Sequence, residues 1–292
     1  MTYIATLLTS PKNPALETVF VENLRNAWGG RDAVWLSPRE AAEFSLPAIP
    51  DNLEQTRNEV HALGIDLNIQ PAAGRRKKML LADMDSTMIE QECIDELAAE
   101  AGVGDKVVDI TARAMNGELE FEQALKERVA LLAGLDKTVI QSVLASRISL
   151  APGGKALVAT MRASGGHAAL VSGGFTAFAR EVADSLGFDE YRANELLIRD
   201  GALTGQVKEP ILGRDAKVSA LREITARLGL TADQVMAVGD GANDLGMLQL
   251  AGAGVALHAK PAVARQCDLR INHGDLTALL YLQGYRREDF VR

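Results

Sequence analysis

With 292 residues, 47% of them hydrophobic and 24% charged, the chain has material for two domains and a sizeable core. A formal net charge of −8 argues against a broadly basic surface for nucleic acid or anionic membrane, and leaves room for a local pocket for a small anion. No apolar run approaches the ~20 residues of a membrane span and no signal peptide is evident, while Cys93 and Cys267 lack metal-clip spacing, which fits reduced thiols in a cytoplasmic protein.

Residues 1 to 73 read as a separate small α+β unit. Tyr3 to Leu8 predicts a strand, and Pro14 to Trp28 a helix that stops at Gly29-Gly30. Ala33 to Leu36 predicts a short strand, Asp51 to Leu63 a helix with Asp51 near its cap, and Ile65 to Ile69 a strand. No acid, thiol or glycine-rich constellation in this unit points to chemistry. Pro71 to Lys78 then reads as a solvated linker carrying the basic run Arg75 to Lys78.

Met79 to Ala82 is a short apolar run of a length that suits a buried strand. It runs into Asp83-Met84-Asp85-Ser86-Thr87. If extended geometry continues, Asp83 and Asp85 face the same way. At the carboxyl end of a parallel strand they would sit where open α/β sheets place ligands. A divalent cation would relieve their mutual repulsion, and an ordinary Asp-Ser turn is the other reading.

From Glu90 to Ser149 the pattern is helical: Glu92 to Ala101, Lys106 to Met115, Phe121 to Ala133 and Asp136 to Ala145, with Gly or Asn after the first three. About 60 residues is too long for an ordinary connection, so this stretch predicts a helical lid. Pro152-Gly153-Gly154 marks the return to the core, and Lys155 to Ala163 a helix.

Ala168 to Val171 predicts a strand leading into Ser172-Gly173-Gly174 and a helix, Thr176 to Leu186. A hydroxyl and bare amides at a helix start suit a phosphate, and equally an ordinary loop. Glu195 to Ile198 and Ala202 to Val207 predict a hairpin through Asp200-Gly201. Asp215 to Leu228 predicts a helix near whose start stands Lys217, poorly matched to a positive helix end.

Gln234 to Val238 predicts another strand, ending in Gly239-Asp240-Gly241-Ala242-Asn243-Asp244, with a helix from Asp244 to Leu250. That loop also reads as a simple turn capped by Asn243. Strands at Gly254 to Leu257 and Leu269 to Ile271 alternate with helices at Pro261 to Gln266 and Leu276 to Gln283. Repeated alternation predicts a doubly wound parallel sheet, so the fold class is α/β with a helical insertion and a small α+β unit in front. His61, His167, His258 and His273 lie away from the acidic clusters and receive no chemistry.

Taken in order, Asp-x-Asp-Ser-Thr, Ser-Gly-Gly, Lys and Gly-Asp-Gly-x-Asn-Asp resemble the four motifs of the haloacid dehalogenase superfamily of phosphohydrolases. Within it the chain looks like the phosphoserine phosphatases, from about residue 78 to the end. Met84, between the aspartates, departs from the more usual Phe and should face away from the phosphate.

The resemblance implies a core at 78–292 with a helical cap at about 90–150, and an N-terminal extension at 1–73 of a kind that is often regulatory. It implies Mg2+ held by Asp83, the backbone carbonyl of Asp85 and Asp240, with Asp244 acting through water. Asp83 becomes the nucleophile that forms an aspartyl-phosphate, and Asp85 the acid and base, its pKa raised by burial under the cap. Ser172, Gly173 and Lys217 bind the phosphate oxygens, and Asn243 lines the pocket. In the cap, Glu92 matches the acid for the substrate ammonium, Arg128 suits its carboxylate, and Met115 and Phe121 form an apolar wall.

The implied reaction is hydrolysis of O-phosphoserine, the last step of serine biosynthesis, with no nucleic-acid or membrane partner. Another small phosphomonoester and a non-catalytic phospho-aspartate switch are the alternatives. A water-activating Asp85 argues against the switch.

Overall fold

The protein, seen here as a computed structural model, is described for residues 1–115 and 118–291, and for the side chains of all of these except Ala114 and Met115. The chain opens with β1 (Tyr3–Thr9), α1 (Thr18–Ala27), β2 (Val34–Ser37), β3 (Ala41–Leu46), α2 (Leu53–His61) and β4 (Ile65–Pro71). The strands form an antiparallel sheet in the order β2-β3-β1-β4.

β3 is absent from the sequence expectation. Its run Ala-Ala-Glu-Phe-Ser-Leu has no β-branched residue and carries Glu43 near its centre, so its strand state comes from pairing with β1. α1 also begins four residues later than expected, and Asn52 rather than Asp51 stands at the cap of α2.

Alternation along β4 decides how this sheet is used. Ile65, Leu67 and Ile69 face its own helices, in a cluster with Val21, Phe44 and Val60. Asp66, Asn68 and Gln70 point the other way and are buried too. Asp66 accepts the backbone N–H groups of Asn272, His273 and Gly274 at 2.8–2.9 Å. Asn68 satisfies both main-chain groups of Arg270, at 2.8 and 3.0 Å, as a neighbouring strand would. Gln70 donates to the Leu282 carbonyl at 2.7 Å.

The basic run that follows is only in part a solvated connector: Arg76 and Lys78 stay exposed, but three of its side chains have partners. Arg75 makes a two-toothed pair with Glu43 at 2.6 and 2.8 Å, Arg76 lies 4.1 Å over the Tyr285 ring, and the Lys77 ammonium donates to the Asp233 carbonyl at 2.8 Å.

The second sheet starts at β5 (Met79–Ala82), after which the chain leaves for α3 (Cys93–Glu100), α4 (Gly104–Met115), α5 (Phe121–Ala130) and α6 (Thr138–Ser146). The Asn116-Gly117 stop expected after α4 lies outside the described residues. The chain returns through α7 (Gly154–Ala163) to β6 (His167–Phe175), α8 (Thr176–Leu186) and β7 (Glu190–Asn194). The hairpin β8 (Leu196–Arg199) and β9 (Ala202–Val207) follows, then α9 (Arg214–Leu228), β10 (Val235–Gly239) and α10 (Leu245–Leu250). Last come β11 (Ala253–Leu257), α11 (Pro261–Ala264), β12 (Leu269–Ile271) and α12 (Ala278–Leu282).

The sheet is parallel throughout, in the order β12-β11-β10-β5-β6-β7. Its central strands β5 and β10 are apolar on both faces. Leu80 and Ala82 pack toward α7, α8 and α12, while Met79 and Leu81 pack toward α9 and α10. From β5 the chain winds outward through β6 and β7, then comes back to β10 on the other side. The reversal falls between β5 and β10, where such sheets open a crevice for ligands. β7 lies outside the sequence expectation; Glu-Tyr-Arg-Ala-Asn is too polar to stand out and survives as an edge strand.

The inserted helices rest on the hairpin, through Gly134 N–H to the Leu203 carbonyl at 2.9 Å and Leu203 N–H to the Leu135 carbonyl at 2.8 Å. Among the described residues, no helix is long and apolar enough to cross a membrane.

Candidate active site

β5 and β10 are neighbours in register, Ala82 opposite Val238, and Asp83 N–H donates to the Val238 carbonyl at 3.0 Å. The two acidic loops therefore leave the sheet side by side. Carboxylate oxygens of Asp83, Asp240 and Asp244 lie within 4.8 Å of one another. Asp83 is 5% exposed and Asp244 not at all. Gly239 is required here, because a Cβ at that position would collide with the Asp244 carboxylate.

Lys217 reaches this cluster from the first turn of α9. Its ammonium lies 2.7 Å from Asp83 Oδ1 and 2.5 Å from Asp244 Oδ1, with the side chain 2% exposed. The surface charge usual for such a lysine is ruled out. The other Asp244 oxygen accepts the Gly241 N–H at 3.0 Å, so Asp244 rather than Asn243 organises the turn, and it occupies the N-cap position of α10 without a side-chain cap bond. Asn243 folds over Gly241.

Asp85 is elsewhere. The chain leaves extended geometry at once, with Ser86 at φ 54°, and the Asp85 carboxylate is not part of the three-acid group. Its Oδ1 accepts the Cys93 N–H at 3.1 Å, at the positive start of α3. A Cβ on Gly174 would stand 2.5 Å from its Oδ2, so glycine there lets β6 approach. Ser172 is buried and its Oγ accepts the Gly174 N–H at 2.8 Å.

The inserted helices bring three expected residues over this edge. Glu92 precedes α3 and accepts the Ser86 hydroxyl at 2.7 Å. Phe121, the first residue of α5, lies against Gly173 and Gly213. Arg128 is half-buried on α5, its Nε donating to the Ala124 carbonyl at 3.3 Å, within the field of Asp95, Glu92 and Asp85. The side chain of Met115 lies outside the described residues. Met84 is fully buried in the core beneath the loop.

A profile of the haloacid dehalogenase-like hydrolases matches residues 80–249. A curated phosphoserine phosphatase of Streptomyces coelicolor is 42% identical over 256 residues, 86% of this chain and 62% of that one, so the chain spans under two thirds of that relative's length. A solved haloacid dehalogenase family hydrolase of Salmonella enterica serovar Typhi superposes with a TM-score of 0.86 at 30% identity, over 96% of this chain and 98% of its own. A structure described as a phospho-aspartyl intermediate analogue of phosphoserine phosphatase is 39% identical with a TM-score of 0.66, over 70% of this chain and 98% of its own. The chain belongs to the phosphoserine phosphatase family.

Sequence reasoning missed two polar contributors to this family's motifs in the present chain. Thr87 donates from its hydroxyl to Asp240 Oδ1 at 3.2 Å and ties the two acidic loops together. Its place in Asp-Ser-Thr is the available signal. Asn194 holds Gly173, and nothing in its neighbourhood along the chain marks it.

Three carboxylates crowd one ammonium, and the charge balance shows in their acidity. Burial and the nearby Asp244 push Asp83 well above the usual carboxylate range. Burial, then Asp244 and Glu92, push Asp240 up to about 6. Burial works against the Lys217 charge, but Asp83 and Asp244 together more than offset it and hold the ammonium above its ordinary range. The set lacks positive charge, and its donors are all hard oxygens, so it fits the divalent cation that phosphatases of this kind use.

Protons and the cation compete for the same oxygens. For Asp240 alone, with its pKa at about 6, cation affinity should rise about tenfold between pH ~5 and pH ~7.5. A raised carboxyl pKa also favours the fold at low pH, so the cation-free protein should lose stability as pH climbs from about 4 through about 6. Calorimetric titration at the two pH values checks this; equal affinities would contradict the assignment of Asp240.

Proposed function

We propose that the protein hydrolyses O-phosphoserine to serine and phosphate, with Mg2+ as its cation, by transferring the phosphoryl group to Asp83. The observation that carries this reading is the separation of the two aspartates. Asp83 sits buried in the charged cluster, while Asp85, two residues on, stands against the start of α3.

Asp83 attacks phosphorus and the serine oxygen leaves, giving an acyl phosphate; water then cleaves it. Lys217 holds the Asp83 carboxylate in place and, with the Ser172 hydroxyl and Gly173 N–H, binds phosphoryl oxygens. Asp85 gives its proton to the leaving oxygen and later takes one from the attacking water. Burial, then Glu92, raises it to about 7, so both of its states are accessible near neutral pH. Mg2+, held by Asp83, Asp240 and the Asp85 carbonyl with Asp244 behind them, would neutralise phosphate charge. Asn243 lines the same pocket.

Helices 90–150 act as the cap, and Glu92 and Arg128 in it take the ammonium and carboxylate of serine, with Phe121 in the apolar wall. Residues 1–73 carry no catalytic group. Membership of the family supports a place at the last step of serine biosynthesis, and the two buried free cysteines support a reducing, cytoplasmic setting.

Kinetics of Arg128→Ala test the substrate. Removing a charge-assisted contact costs about 1.5–3 kcal/mol, or roughly ten- to a hundredfold in kcat/KM. The loss should fall on phosphoserine and spare a phosphomonoester without amino or carboxyl groups. Lysine should rescue poorly, because it keeps the charge without the planar fork. Equal losses on both substrates would make Arg128 structural, and no loss on phosphoserine would point to another substrate.

A further inference from the structure

Strand β6 breaks register with its neighbour β7 where the phosphate would bind. Val171 pairs with Arg192, and the next pair is Phe175 with Asn194. Residues 172–174 therefore bulge out opposite the single residue Ala193, as bulges beside active sites do to re-aim the chain. A bulge leaves main-chain groups unpaired, and buried ones must find other partners.

Asn194 provides one of them. It is buried at the end of β7. Its carboxamide nitrogen donates to the Gly173 carbonyl at 2.8 Å and to the Leu212 carbonyl at 3.2 Å, and its oxygen accepts the Leu212 N–H at 2.7 Å. The peptide between Gly173 and Gly174 is thus fixed at both ends, its carbonyl by Asn194 and its N–H by Ser172 Oγ. Since that oxygen accepts the Gly174 N–H, the Ser172 hydroxyl keeps its own proton for another acceptor. On the other side Leu212 lies two residues before α9, which carries Lys217 to Asp83 and Asp244. Phe121 from α5 rests against Gly173 and Gly213, the two segments that Asn194 joins.

We propose that Asn194 is a positioning residue for phosphoryl transfer, setting the Ser172-Gly173 loop and the approach to the Lys217 helix at one fixed spacing. This rests on the phosphatase reading above. Asn194 touches neither the phosphate nor the three acids; it acts through Gly173 and Leu212.

The test compares Asn194→Ala and Asn194→Ser with wild type. kcat and KM for phosphoserine are measured per folded molecule, with orthophosphate and Mg2+ affinities by calorimetry. A misplaced loop should lower kcat roughly a hundredfold and weaken orthophosphate about tenfold. Mg2+ affinity should stay within about threefold, since Asp83, Asp240 and Asp244 keep their places. Asn194→Ser, which can still bond one carbonyl, should recover part of kcat. A lowered Tm with unchanged kcat and orthophosphate affinity would overturn the proposal.

If neither variant folds, the wild-type enzyme decides: its Asn194 side-chain amide resonances should shift as orthophosphate is added, and a static signal counts against the role. A wild-type protein that binds orthophosphate without hydrolysing phosphoserine would fail the functional reading alone.

Discussion

The Asp83→Asn protein should lose phosphoserine turnover by about ten-thousandfold or more, the scale seen when an enzyme nucleophile is removed. A carboxamide cannot form the acyl phosphate, yet it is nearly the same shape. Its oxygen can still accept from Met84 N–H and Lys217, which reach Asp83 Oδ1 at 2.8 and 2.7 Å. The fold therefore holds. One negative charge also leaves a cluster that already has too many, so the variant without cation should be at least as stable as wild type. Steady-state kinetics and thermal unfolding check both points, with mass spectrometry to exclude deamidation back to Asp. Substantial turnover by the Asp83→Asn variant, verified free of reverted protein, would remove Asp83 from the nucleophile role.

Lys217→Met acts on the other side of the same balance. Methionine fills most of the space and leaves Asp83 and Asp244, both almost wholly buried, facing one another without an ammonium. Breaking a buried pair by deleting one partner costs about 3–5 kcal/mol. The loss should be largest without cation and at neutral pH. It should shrink when Mg2+ is added and when pH falls, because either change removes the uncompensated charge. Turnover should fall about a thousandfold if Lys217 also binds the phosphoryl oxygens, as proposed. Denaturant titrations with and without Mg2+ read the stability. Wild-type stability in the cation-free variant would mean that Lys217 does not hold the acids in solution.

What can be read from the chain follows from what is local in it. Met79–Ala82, Thr176–Leu186 and Leu269–Ile271 have the expected bounds, because their apolar period and the turn residues beside them lie in the same short window. The acids are legible because strand ends of a parallel sheet put them at one edge whatever surrounds them. Lys217 is not legible as a buried charge, since burial depends on Asp83 and Asp244, one of them far away in sequence.

β4 shows a deeper ambiguity. Ile-Asp-Leu-Asn-Ile-Gln alternates as a half-solvated strand does, yet Asp66, Asn68 and Gln70 are buried against main chain at residues 270–282. A polar face that meets water and one that meets backbone have the same spelling. Residues 1–73 therefore read as separate in sequence, although Leu8, Leu36 and Ala41 join the apolar cluster that contains Tyr281. Asn194 has the same character: a carboxamide at a strand end becomes meaningful only when Gly173 and Leu212 arrive beside it.

If phosphoryl transfer from phosphoserine passes through Asp83, the enzyme carries an acyl phosphate there during turnover. Acid quenching of the Mg2+-loaded wild-type enzyme during turnover, followed by peptide mapping, tests it most directly. The mass of one phosphoryl group should appear on the peptide that contains Asp83, be discharged when substrate is exhausted and be absent from Asp83→Asn. A phosphoryl group on any other residue, or rapid turnover with none on the enzyme at any quench time, would contradict it.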